Sequence, residues 1–182
     1  MAIATHTIMI PSKVAAKNID SLTRNAKSAT DDLDNGNLVQ LNTGVSTAYG
    51  ENEVYMATKP ATGSLSGLWM VGEPEVDVTE GKYKGINVNP KYFFNPQGEP
   101  FSVFKPKAYD IVKVTDENFT NSRGSNTFAN AANGTYQLTW GSSATSGATS
   151  FRLVSVGYVS VPVGHPGSDN RVPIYRLECI SE

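Results

Sequence analysis

From Asp34 onward the apolar positions fall in short runs divided by Gly, Pro and Asn. Short alternating or continuous apolar runs between turn residues predict β-strands. The runs are Leu38-Val39-Gln40-Leu41, Val54-Tyr55-Met56-Ala57, Leu68-Trp69-Met70-Val71, Val76-Asp77-Val78, Phe101-Ser102-Val103-Phe104, Ile111-Val112-Lys113-Val114 and Thr135 to Trp140. The strongest are Phe151 to Val161 and Val172 to Ile180. Strands recur roughly every 8 to 15 residues with no convincing helix between them, a spacing that predicts a mostly β fold, an antiparallel β-barrel or sandwich. Before the first run, Asp34-Asn35-Gly36-Asn37 is turn-like, because Asn-Gly takes positive φ at low cost.

The first residues read differently. Ile3, Ile8, Met9, Ile10 and Val14 are scattered among Thr, Ser, Lys and Asn, and no glycine precedes Gly36. The division expected is an extended N-terminal arm over 1–32 and a single β-rich domain over 33–182. Three consecutive apolar residues before Pro11 suit an extended segment that packs on something. The alternative is a first strand or a frayed end of the same domain. Asn18 to Ala29 places Ile19, Leu22 and Ala26 on one helical face, against the poor helix formers Ser21, Thr23, Asn25 and Ser28.

Tyr158 to Val163, the turn-rich Gly164 to Asn170, and Arg171 to Arg176 predict a terminal hairpin. Pro162 and Pro173 cannot donate to a ladder and belong at strand ends, edges or bulges. Alternation sets Tyr175, Leu177 and Cys179 on one strand face, where Cys179 reads as a small buried hydrophobe instead of a nucleophile. Two long loops are expected, Gly81–Gly98 and Asn118–Gly134, and loops of that length often bind something or move.

Composition narrows the function. The chain has 182 residues, the size of one domain, with 15 Lys+Arg against 17 Asp+Glu and 18% charged residues, below the roughly 25% of an average soluble protein. A formal net charge of −2 argues against electrostatic binding of nucleic acid. The 17 Ser, 16 Thr and 15 Asn make an uncharged polar surface. A single cysteine allows no internal disulfide, no basic leader or apolar h-region opens the sequence, and no run matches a membrane span. These features lead to the expectation of a soluble chain made in the cytoplasm. Two glycosylation sequons, at Asn118 and Asn133, then read as chance matches.

Candidate chemistry is sparse. A Ser-His-acid site needs a histidine, and the two present are His6, in the expected arm, and His165, in a Gly/Pro-rich loop. One Cys and two distant His do not make a closed zinc site. Asp31-Asp32-Leu33-Asp34-Asn35-Gly36 resembles the start of a calcium loop, but Asn42 stands where the closing carboxylate belongs, so an acidic turn is the better reading. Glu73 and Glu75 flank Pro74 and read as solvated edge charges, not as a glycosidase pair. Gly63-Ser64-Leu65-Ser66-Gly67 lacks a phosphate-loop lysine and reads as a turn. No cofactor is expected. Trp69, Phe101, Phe104 and Trp140 read as core, whereas Tyr92, Phe93 and Phe94 in a Pro/Asn-rich loop are candidates for an exposed contact.

Several stretches together resemble small structural head proteins of tailed bacteriophages. They are Leu33 through Leu41, Val54-Tyr55-Met56-Ala57-Thr58-Lys59-Pro60, Gly67-Leu68-Trp69-Met70-Val71, Phe104-Lys105-Pro106 through Thr115, and the closing hairpin from Phe151 to Tyr175. The resemblance implies a β-tulip-like barrel and a capsid decoration, or cement, protein. Such a protein is a non-enzymatic virion component that binds the outside of the shell and stabilises the head. It further implies the major capsid protein as partner, a homo-oligomer with a trimer favoured, and a location on the capsid surface after synthesis in the bacterial host cytoplasm. Under this reading Ile8, Met9, Ile10 and Val14 are the capsid-contact candidates of the arm. The alternatives are a carbohydrate-binding or host-attachment domain stacking sugars on Tyr92, Phe93, Phe94 and Trp140, and a tail-tube or connector subunit. No nucleic acid and no membrane partner is expected.

Overall fold

The computed structural model describes residues 5–45, 53–74, 90–161 and 170–182. Eleven strands are described: β1 (Met9–Lys13), β2 (Thr23–Ser28), β3 (Leu38–Val45), β4 (Val54–Thr58), β5 (Trp69–Val71), β6 (Pro100–Phe104), β7 (Ile111–Thr115), β8 (Phe128–Asn130), β9 (Thr139–Gly141), β10 (Ser150–Val161) and β11 (Asn170–Ser181). They form a six-stranded antiparallel sheet, in the order β1-β7-β11-β10-β8-β9, and a closed barrel, β2-β4-β3-β5-β6. The mostly β, barrel-containing architecture agrees with the periodicity of the sequence. One pairing departs from an all-antiparallel plan, since β2 and β4 run parallel.

The extended N-terminal arm is not confirmed. β1 pairs along β7, with Met9 opposite Val114 and Ile10 opposite Lys113. β2 is a barrel strand held on both sides, by β4 and by β6. Ile8, Met9 and Val14 are therefore buried, and three of the four capsid-contact candidates are turned into the protein's own core. The physical reason is that an apolar extended segment beside an unpaired β7 edge gains main-chain hydrogen bonds and burial at once. The helix over Asn18–Ala29 does not form either. Short 3-10 turns at Ala15–Asn18 and Asp20–Leu22 lead into β2, where Ala26 packs in the barrel interior. Two open ladder partners outweigh a weak helical face.

One core crosses the two sheets. Met9, Val112, Val114, Tyr175, Leu177 and Cys179 from the large sheet meet Leu38, Leu68, Met70 and Phe104 from the barrel side. Burying each large side chain of this kind contributes about 1.5–3 kcal/mol. Gly72 permits the close contact between β1 and the barrel, because a Cβ there would lie 2.7 Å from Phe104 Cε1 and 3.2 Å from Met9 Cε. The turn at Asn35-Gly36 forms as the sequence predicts, with Gly36 at φ +92°.

The terminal hairpin is β10 and β11, twelve residues each, with a bulge at Val154 where Leu153 pairs with Leu177 and Ser155 with Arg176. Pro173 pairs with Tyr158 just beyond the β7 ladder, which begins at Ile174, so its missing N–H breaks no bond to β7. The expected loop at Asn118–Gly134 contains β8, and the strand expected over Thr135–Trp140 shortens to β9. Val76-Asp77-Val78, Glu75, Pro162, His165 and the first half of the Gly81–Gly98 loop lie outside the described residues.

Candidate functional site

Register fixes which side chains share a face, because paired residues of antiparallel strands project to the same side. Two rows cross the side of the large sheet that faces away from the barrel. One runs Ile10, Lys113, Arg176, Ser155, and the other Lys13, Ile111, Glu178, Arg152, Phe128. Four cations, Lys13, Lys113, Arg152 and Arg176, thus stand on one face with a single carboxylate, Glu178. Arg152 Nη2 donates to Glu178 Oε2 at 2.6 Å, leaving three cations without a carboxylate in these rows. Ile10, 37% exposed, lies directly beside Lys113. A chain of net charge −2 therefore carries a cationic, partly apolar sheet face.

The predicted contact residues separate in the fold. Of Ile8, Met9, Ile10 and Val14, only Ile10 reaches the surface. Of the aromatic run, Tyr92 is exposed, Phe93 is buried, and Phe94 stacks on His6 with ring centroids 4.9 Å apart. The three rings share no open platform. Trp140 is also buried, stacked on Phe119 at 4.3 Å, with the edge of Tyr175 against both rings.

The acidic run forms a turn in which each of the three carboxylates has a polar partner from the protein itself. Asp34 Oδ1 lies 2.7 Å from His6 Nδ1, and its Oδ2 accepts from Thr7 N at 2.9 Å. Asp32 Oδ1 accepts from Gln97 N. Asp31 accepts from the Thr30 hydroxyl, from Tyr136 and from Lys59, and the Thr30 bond leads in holding its carboxyl below the usual range. Burial, then the negative charge of Asp31, pushes Tyr136 up to about 12.

A small groove, about 330 Å³, lies over this turn, lined by Asp31, Asp32, Asp34 and Tyr136 among others, and two others lie elsewhere on the described surface. The larger, about 770 Å³, is lined by Lys17, Asp20, Arg24, Glu53, Tyr55 and Ser102 among others. Charges in and beside it support the fold: Lys17 Nζ donates to Gly72 O at 2.8 Å, and the neighbouring Glu73 Oε2 accepts from Ser102 N at 2.6 Å. Burial lowers the pKa of Lys17, opposed by the nearby Glu73. The second groove, about 570 Å³, lies over Tyr175, whose hydroxyl donates to Asp116 Oδ1 at 2.7 Å. Burial foremost, then Asp116, pushes Tyr175 up to about 12. Cys179 is buried and also pushed up to about 12 by burial, so it is a core side chain and not an activated thiol. Among the described residues no three His, Cys, Asp or Glu side chains converge on one point.

Two further features escaped the sequence reading. Tyr109 is 80% exposed at φ +74°, in a turn closed by Asp110 N donating to Lys107 O. Val154, Val156 and Tyr158 form an exposed apolar stripe on β10. The signal for the stripe is present in the sequence as a run without charge from Leu153 to Val161, which is easily taken for a core strand.

No family model matches the chain, and neither a curated protein nor a solved structure is similar to it at a significant level.

Proposed function

We propose that this chain is a non-enzymatic structural protein whose product is an interface, and specifically a decoration protein on the outer surface of a phage capsid that stabilises the shell. The observation that carries the reading is the cationic row on the outer side of the six-stranded sheet, where Ile10, exposed on the edge strand β1, has Lys113 beside it, Arg176 next in the row and Lys13 further along β1. It lies next to a part of the same face that is closed over the buried cluster Ile8, Val161 and Val172. A sheet edge that sets an exposed apolar side chain beside a row of cations is suited to an acidic protein surface, and many identical copies multiply a weak single contact into firm attachment. The resemblance of the strand-entry motifs and closing hairpin to phage head proteins supplies the choice of a capsid.

The contact residues differ from those the sequence favoured. Ile8, Met9 and Val14 hold the protein's own fold, so attachment falls to Ile10 and the cations around it. Co-sedimentation of the purified chain with expanded, undecorated heads of a tailed phage encoding it tests the proposal. A saturating, stoichiometric number of copies per shell is expected, and failure to bind at any concentration contradicts the reading.

A further inference from the structure

β10 is paired on both sides only at its start. β8 covers Ser150 to Arg152, and Leu153 N donates to Thr127 O. From Val154 to Val161 the side of β10 away from β11 has no strand beside it among the described residues. Natural proteins protect such an edge with lysine, proline or an inward-pointing charge. Here the run Val154-Ser155-Val156-Gly157-Tyr158-Val159-Ser160-Val161 holds none of these, and Val154, Val156 and Tyr158 are 46%, 46% and 67% exposed.

Gly157 adds an independent observation. A glycine inside a strand weakens it and commonly marks a bulge, a bend or the close approach of another backbone. The bulge is at Val154, and the φ of Gly157 is not positive. A Cβ at Gly157 would meet its nearest neighbour, Ile174 Cγ2, at an ordinary 3.8 Å. Among the described residues nothing requires glycine at this position.

We infer that the open edge of β10 pairs antiparallel with the same edge of a second copy of this chain, forming a two-fold dimer centred on Gly157. Two antiparallel copies in one continuous sheet are related by an axis normal to the sheet, so every residue keeps its face and the axis passes midway between the two copies of one self-paired residue. With the axis at Gly157, Val156 of each copy stands opposite Tyr158 of the other, a favourable β-branched–aromatic pair. Val154 then meets Ser160, and Ser155 meets Val159. Every residue in this pairing is uncharged, so no like charges oppose one another, as happens when a charged edge is brought against its own copy. A partner with a charged recognition strand finds no complement on this edge, whereas a second copy finds the same apolar stripe. The inference goes beyond the shell-binding reading and does not rest on it.

Sedimentation of the intact chain, with no capsid present, tests it. The expected species is a dimer, and Val156→Lys, at an exposed position, weakens dimerisation at least about tenfold by desolvating a charge in each half of the interface. Its far-UV circular dichroism stays that of the unaltered chain. The register is tested by mixing chains that carry Val156→Cys with chains that carry Tyr158→Cys. A disulfide between the two kinds of chain forms faster than one between identical chains, and the buried Cys179 does not compete. A monomer or a trimer at all concentrations, a dimer indifferent to Val156→Lys, or faster linkage between identical chains overturns the inference.

Discussion

Val156 stands directly opposite Tyr175 on one face of the β10–β11 ladder, yet Tyr175 is 7% exposed and Val156 46%. The same row continues through Val114 to Met9, both buried. Phe119 and Trp140 cover Tyr175 and stop there, so the apolar face of the sheet runs on past its cover. The exposed stripe of β10 is thus an extension of a core row, which explains why it reads as core in the sequence.

The position of Met9 in that row yields a stability prediction. Met9→Ala removes a side chain packed between β7 and the barrel, with an expected loss of about 2–5 kcal/mol in denaturant unfolding. Ile10→Ser, one residue on and facing outward, changes stability by no more than about 0.5 kcal/mol. Equal, small effects at both positions would show that the N-terminal strand is not part of the core.

Gly72 and Gly157 should respond in opposite ways to the same change. Gly72→Ala forces a Cβ to 2.7 Å from Phe104 Cε1 and should cost about 1–3 kcal/mol through overpacking. Gly157→Ala has room, and the unfolding free energy of the separated monomer should hold or rise slightly, by about 0.5 kcal/mol. A harmless Gly72→Ala contradicts the close packing of Phe104 on the Gly72 backbone.

Tyr136 and Tyr175 set an alkaline limit to stability. Both phenols have a folded pKa of about 12, raised from 10.0, so the folded state holds the proton more tightly than the unfolded chain. The resulting stabilisation is complete below pH 10 and declines as the pH rises towards 12. Following the urea midpoint across that window, while recording tyrosinate absorbance, should show this decline in the unaltered chain and a shallower one in the Tyr136→Phe/Tyr175→Phe variant. Identical slopes would contradict the assignment.

Much of the fold was legible in the sequence because its strands are marked by apolar runs and Gly, Pro or Asn boundaries. β3, β4, β5, β6, β7, β10 and β11 match those runs, and the closing hairpin and Asn35-Gly36 turn form where their residues predict. β2 was hidden because Thr23-Arg24-Asn25-Ala26-Lys27-Ser28 has no apolar alternation, and its strand state comes from two flanking ladders. β1 was ambiguous because Ile8-Met9-Ile10 suits an arm as well as a strand, and the unpaired edge that captures it lies about a hundred residues away. The candidate site was the least legible part. A net charge of −2 averages away a face that gathers Lys13, Lys113, Arg152 and Arg176 from four separate strands, and only register brings them together. Tyr92-Phe93-Phe94 reads as one patch in sequence, but its side chains go to solvent, core and His6 in turn.

The central claim, that this sheet face attaches the protein to a shell, is tested most directly by the affinity of a charge-reversed chain for heads. Lys13→Glu/Lys113→Glu keeps the buried face of the sheet intact while replacing two cations beside Ile10 with carboxylates. Measured by co-sedimentation with undecorated heads, the unaltered chain is expected to saturate the shell and the doubly substituted chain to lose most of its binding, increasingly so at low salt. Equal occupancy by the two chains at every salt concentration would contradict the account.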